Sequence, residues 1–263
     1  MASYKEWVNL IDIDYYTAFL KSWIAFNSWY KSRPEYESFV QDRQIIDEIK
    51  NKSNSLFKTN IINLITGNDF ESKSFQQDIG NLHISLSQAA IYIHNGNNPH
   101  ESISFEKIAT SNQTKTQSKA MNGFKYNVER IKGGKVKSEI KKADNTIIFR
   151  LEQEAYNDLA LETSSDFDNL SDGQQKNCLM QLYRNVNPYT YYSIIHRNKK
   201  DKKFKLGEVT FIGDTEKISI SIIEILFMLR NSLIHGNVEP NENNSKVYKF
   251  AYSLLYTVLK KMR

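Results

Sequence analysis

The sequence is short of cysteine, and that scarcity decides several questions at once. Its one thiol, Cys178, has no partner for an intramolecular disulfide and no companions for a thiolate zinc site. No apolar run approaches the length of a membrane span. The opening Met1-Ala2-Ser3-Tyr4-Lys5-Glu6 lacks a charged segment leading into an apolar one, so no secretory leader is expected. Internal repeats and an acidic metal-binding cluster are missing too. Together these absences point to a reducing cytoplasm, no membrane, no metal and no cofactor.

What the sequence does contain favours a packed core. Hydrophobic residues make up 40% of the 263 positions and charged residues 25%, which is ample for burial and too apolar for wholesale disorder. There are 15 Tyr, 14 Phe and 3 Trp, rings that bring large buried areas. Lys and Arg number 35 against 30 Asp and Glu, a net charge of +5, with a pI near 9.0. This mild excess suits a nucleic-acid partner without requiring one.

Periodicity organises the chain. Tyr16, Phe19, Leu20, Trp23, Phe26, Asn27 and Tyr30 recur at helical steps and predict a helix over Tyr15 to Lys31, capped by Asp12 or Asp14 and followed by Pro34. Asn27 falls within the apolar stripe and needs a partner. A second helix is expected from Gln44 to Thr66, stopped by Gly67-Asn68, and a third from Phe75 to His94. Thr110 to Lys119 reads as an exposed linker. Asn127 to Lys142, with Gly133-Gly134 inside it and Thr146-Ile147-Ile148-Phe149 after it, suggests a β-hairpin. Helices are expected again over Asp172 to Arg184 and Pro188 to His196, a solvated loop over Arg197 to Lys205, and a strand over Glu208 to Ile212. Two apolar helices, Lys217 to His235 and Ser245 to Met262, close the chain. The expected fold is mainly α. It is an antiparallel helical bundle built from about 1–95 and 213–263, with an inserted lobe at about 100–212 holding a short hairpin.

The segment Ser221 to Asn237 (SIIEILFMLRNSLIHGN) concentrates the chemistry. Its apolar majority should be buried against other helices or across a dimer interface. At 100° per residue, Glu224, Asn231 and His235 fall near one line, with Arg230 on its flank, so four polar groups are expected on one rim. Burying them singly costs a few kcal/mol each. A structural account also fits: Gly236 takes a left-handed cap, His235 faces the helix carbonyls, and Arg230 pairs with Glu224 or another acid.

Arg230-Asn-Ser-Leu-Ile-His235 resembles the Arg-x4-6-His signature of the HEPN superfamily, in which a polar residue, often Asn, follows the Arg. Glu224, six positions ahead, and the opening helix Phe19-Leu-Lys-Ser-Trp23-Ile-Ala-Phe-Asn27-Ser-Trp29-Tyr30 resemble features of prokaryotic members. The likeness covers roughly the first 65 and last 50 residues. It implies a metal-independent endoribonuclease acting as a homodimer through the motif helix. Arg230 and His235 of both subunits would be catalytic, with Asn231 and Glu224 in support, and the 2′-hydroxyl would attack the neighbouring phosphate. It also implies a toxin or antiphage effector, with an antitoxin or regulatory protein as a further partner. The alternative is a non-catalytic HEPN-like module that binds nucleotide or protein.

The residue types suit RNA cleavage: imidazole exchanges protons near neutral pH, and guanidinium holds phosphate oxygens. Asn27 is a candidate partner for Asn231 or Glu224. Arg197, Lys199 and Lys200 are candidate RNA contacts, as are Lys132, Lys135, Lys137, Lys141 and Lys142. Tyr189, Tyr191 and Tyr192 would either stack bases or, as the commoner role, fill a core. His83, His94, His100 and His196 have no third ligand in view and read as structural or solvated.

Overall fold

The computed structural model describes residues 13–95, 98–170, 173–197 and 202–263. Along the chain it runs α1 (Tyr15–Lys31), a 3-10 turn (Pro34–Tyr36), α2 (Asp42–Asn51), α3 (Leu56–Thr66), α4 (Phe70–Gln88), β1 (Tyr92–Asn95), β2 (Asn98–Ser102), β3 (Ile108–Ser111), β4 (Thr116–Met121), β5 (Phe124–Arg130), β6 (Val136–Lys142) and β7 (Ile147–Gln153). It continues through α5 (Asp158–Glu162), α6 (Ser165–Asp168), α7 (Gly173–Asn185), β8 (Tyr189–Tyr192), β9 (Lys203–Leu206), β10 (Val209–Ile212), α8 (Thr215–Ile234) and α9 (Glu242–Lys261). The chain divides into two compact units, residues 1–108 with 193–263, and residues 109–192.

In the first unit α8 is the central helix, packed by α1, α2, α3, α9, β1 and β10. Ile218, Ile222, Ile225 and Leu229 are wholly buried there, so the apolar run is covered by the chain's own helices. The α1 stripe lands as the periodicity requires, with Phe19, Trp23, Phe26 and Tyr30 buried. Asp14 caps α1 by accepting from Tyr16 N and Thr17 N; Asp12 lies outside the described residues. Phe26 stacks on Phe57, with centroids 4.2 Å apart, and Phe19 meets Tyr248 edge-on. Antiparallel pairs β1–β2 and β9–β10 complete the unit. Gly80 lets β9 approach α4, because a Cβ there would sit 2.4 Å from the Leu206 carbonyl oxygen. Among the described residues no helix is long and apolar enough to cross a membrane.

The second unit is built on an antiparallel sheet of order β4-β5-β6-β7, with β3 paired to β8 beside it. One face of the sheet supplies Tyr126, Val128, Val136, Ile140 and Phe149 to a core completed by Leu179, Tyr183 and Val186, from α7 and the residue after it. The other face is charged.

The expectation of a mainly helical bundle is therefore wrong: helices and strands share the chain, and the fold is mixed α/β. The strands were hidden because their open face carries Lys125, Lys137, Glu139, Lys141 and Arg150, so alternation looked like a basic, polar stretch. Thr110 to Lys119, expected as a linker, holds the end of β3 and most of β4. Asn122-Gly123, both at positive φ (53° and 78°), turn β4 into β5. The Gly133-Gly134 hairpin joins β5 to β6 as expected. Pro188 to His196 is not a helix; it contains β8. The single helix over Gln44 to Thr66 is two, α2 and α3, broken at Lys52 to Ser55. The third helix stops at Gln88, so His94 lies in β1 and shares no helical face with His83.

Candidate functional site

The polar residues of α8 pair with α2 and α3, whose successive residues meet α8 from its end towards its start. Three rungs result. Lys58 of α3 donates to Glu216 near the start of α8. Arg43 and Lys50 of α2 both donate to Glu224, the Arg43 bond measuring 2.7 Å. Asp42, the first residue of α2, accepts from Arg230 Nη2 at 3.2 Å.

Glu224 is 3% exposed, so its carboxylate is tolerable only because two cations cover it. Arg43 in turn binds Asp47 through both Nε and Nη2, and Lys50 also pairs with Asp47. Burial works against the charge on Arg43, but its bonds to Glu224 and Asp47 outweigh that and raise its pKa. For Asp47, burial is likewise outweighed by Arg43 and Lys50, and its pKa is lowered. This is a closed structural network. Glu224 is held away from Arg230, and its partners are Arg43 and Lys50, not the expected Asn27.

Arg230 occupies the next rung, at the edge of the core. Its Nη1 donates to Asn231 Oδ1 at 2.8 Å, which fixes the guanidinium against the following residue. Its Cζ lies 6.0 Å from the Trp23 ring centroid. Asp42 also faces Lys31 at 3.7 Å, so two cations share one carboxylate. The Arg230 side chain is 20% exposed and that of Asp42 24%. Trp23 Nε1, the Tyr30 hydroxyl and Arg230 Nε are buried without a well-formed hydrogen bond among the described residues. Burial raises the Tyr30 pKa first, and the negative charge of Asp42 raises it further; Arg230 opposes both.

His235 is the C-cap of α8. Its N–H donates to the Asn231 carbonyl, and Gly236 follows at φ +71°, the left-handed position expected of it. The imidazole is exposed and makes no hydrogen bond with the described residues. Ile234 beside it is 52% exposed. So the four groups expected on one rim separate into two places. Glu224 is sealed in the interior, while Arg230, Asn231 and His235 occupy the last turn of α8 and its cap.

The expected RNA contacts fare unevenly. Arg197 is exposed and donates to Glu106 at 2.6 Å; Lys199 and Lys200 lie outside the described residues. On the sheet, Lys135 pairs with Glu154, Lys141 with Glu139, and Lys137 sits in register between Glu129 and Glu152. That face is a mosaic of both signs. Tyr189 and Tyr191, expected chiefly as core, are exposed on β8. His83 is partly buried between Phe105 and Phe211, which lowers its pKa. Among the described residues no group of His, Cys, Asp and Glu could hold a metal. A groove of about 700 Å³ opens between α1 and α9, floored by Ala18, Ser22 and Ala25; neither Arg230 nor His235 lines it.

Asp42, Arg43 and Lys50 escaped the sequence reading. Their partners lie 174 to 188 positions away, and no local spacing announces such pairs. No protein-family model, curated protein or solved structure matches the chain.

Proposed function

We propose that the chain is a metal-independent endoribonuclease of the HEPN kind, using Arg230 and His235. One observation carries this reading: the Arg-Asn-x3-His segment ends a buried helix at the surface, leaving the His235 imidazole exposed and the Arg230 guanidinium at the protein's edge. In the proposed reaction the imidazole of one subunit takes the proton of a ribose 2′-hydroxyl. The oxygen attacks the adjacent phosphorus, and the guanidinium stabilises the added negative charge. The 5′-oxygen leaves with a proton from the second imidazole, giving a 2′,3′-cyclic phosphate and a 5′-hydroxyl.

Two copies of the last turn of α8 meet in this reading, and the half-exposed Ile234 supplies apolar surface for the contact. The proposed setting is the cytoplasm. The proposed role is that of a toxin or antiphage effector restrained by an antitoxin or regulatory protein, a role taken from family habit.

The bonds from Arg230 to Asp42 and Asn231 favour a second reading, a HEPN-like module that binds nucleotide or protein without cutting. One assay separates the two. Labelled RNA is incubated with the protein in EDTA. Cleavage with cyclic-phosphate ends, lost in His235→Ala, is expected; intact RNA at all protein concentrations sinks the enzyme reading.

A further inference from the structure

Arg230 is not idle in the unliganded protein. Its guanidinium has five N–H donors, one directed at Asn231 and one at Asp42. The two contacts differ in kind. Asn231 is neutral and neighbouring, so it orients the group and leaves its charge untouched. Asp42 is an anion, and it sits where a phosphate oxygen would bind the same nitrogen face.

Asp42 is also held in place. It opens α2, where a carboxylate is favoured by the exposed N–H groups of the first turn. Lys31 forms an ion pair with its other oxygen, at 3.7 Å. The groups facing the pair are Lys31, Tyr30 and Trp23 from α1 and Asn231 from α8, and among the described residues no second carboxylate pairs with Arg230. With Lys31 and Arg230 on one carboxylate the corner keeps a net positive charge, yet the guanidinium itself is partly neutralised.

We propose that Asp42 is a further functional residue of this site, a built-in stand-in for phosphate that occupies Arg230 until a nucleic-acid phosphate displaces it. This rests on the reading of Arg230 as a phosphate-contacting group. A strand entering the site must exchange one anion for another on the same guanidinium, so Asp42 weakens the resting affinity of the site. Its removal therefore tightens binding, the opposite of what loss of a merely structural ion pair does.

The test uses a single-stranded DNA oligonucleotide, whose phosphates are intact but which has no 2′-hydroxyl to attack. Binding to the full chain is measured by anisotropy at fixed low salt. Asp42→Asn is expected to bind about two- to fivefold tighter, the scale of one partly exposed charge pair. Asp47→Asn is the matched control, because it removes the same charge from the same helix at a carboxylate that serves Arg43 and Lys50. It should show little gain, and Asp42→Asn combined with Arg230→Ala should show none. Thermal melts check folding, and Asp42→Ser is the second variant, with the same expected sign. If Asp42→Asn binds no tighter than wild type or Asp47→Asn while Arg230→Ala still weakens binding, the stand-in role is overturned and the site reading survives. If Arg230→Ala binds as well as wild type, the site reading fails first and takes this proposal with it.

Discussion

Two charged corners of α8, six residues apart, show opposite uses of an ion pair. At Glu224 the anion is buried, doubly covered by Arg43 and Lys50, and out of reach of any ligand. At Arg230 the charge lies at the boundary, is held by Asp42 and Asn231, and is followed by an exposed histidine. The residue types alone do not distinguish the corners. Depth does: a buried charge is costly unless fully paired, so its partners serve the fold, whereas a boundary charge keeps donors for something else.

The largest effect that would sharpen this contrast concerns activity. His235→Ala should slow RNA cleavage by about 10²- to 10⁴-fold, the usual worth of a general acid–base group. Its thermal melt should stay within about 0.5 kcal/mol of wild type, since an exposed side chain without partners holds nothing together. A variant that both unfolds and loses activity would place His235 with the structural corner.

Glu224→Ala should do the reverse. It leaves Arg43 and Lys50 without their shared anion and is expected to cost about 3 kcal/mol in urea unfolding, towards the lower end for broken buried pairs because Arg43 is partly exposed. A loss under about 1 kcal/mol, the range of surface pairs, would erase the distinction between the corners. Arg230→Ala should fall between the two in stability, at about 1 kcal/mol, since its pair with Asp42 is only partly buried. Cleavage should nonetheless be lost. Arg230→Lys keeps the charge but not the fork, and is expected to recover stability more than activity.

Much of this was readable before the structure, and the reasons are physical. The helix over Tyr15 to Lys31 follows from a 3.6-residue stripe, and the buried length of α8 from an apolar run in which Glu224 is the one charged residue between Ile218 and Leu229. Both signals are local. The sheet was harder to read: Phe124, Tyr126 and Val128 do alternate with polar residues, but the run is short, and the pairings that join three strands, such as Glu129 with Lys137 and Lys137 with Glu152, are not local. Asn122-Gly123 is the exception: it is a strong local hairpin signal, and it marks the polar stretches on either side of it as strands. At the site, helical spacing brought Glu224, Asn231 and His235 to one line, but spacing carries no depth. Only the arrival of α2 separates Glu224 from the rest.

The smallest effect concerns a half-buried group between these extremes of depth. His83 is partly buried against Phe105 and Phe211, and burial lowers its pKa from the ordinary 6.5, with Glu106 pulling weakly upward. The folded protein therefore prefers neutral imidazole more strongly than the unfolded chain does. Above pH 6.5 both states are neutral and His83 costs nothing. As pH falls below 6.5 the unfolded chain takes up the proton first, so the contribution to stability declines until the folded pKa is passed. Urea midpoints measured from pH 7.5 to 5 should fall more steeply for wild type than for His83→Phe, which removes the titrating group without emptying its place between the rings. Parallel slopes for wild type and His83→Phe would mean that the place between Phe105 and Phe211 does not disfavour the charged imidazole.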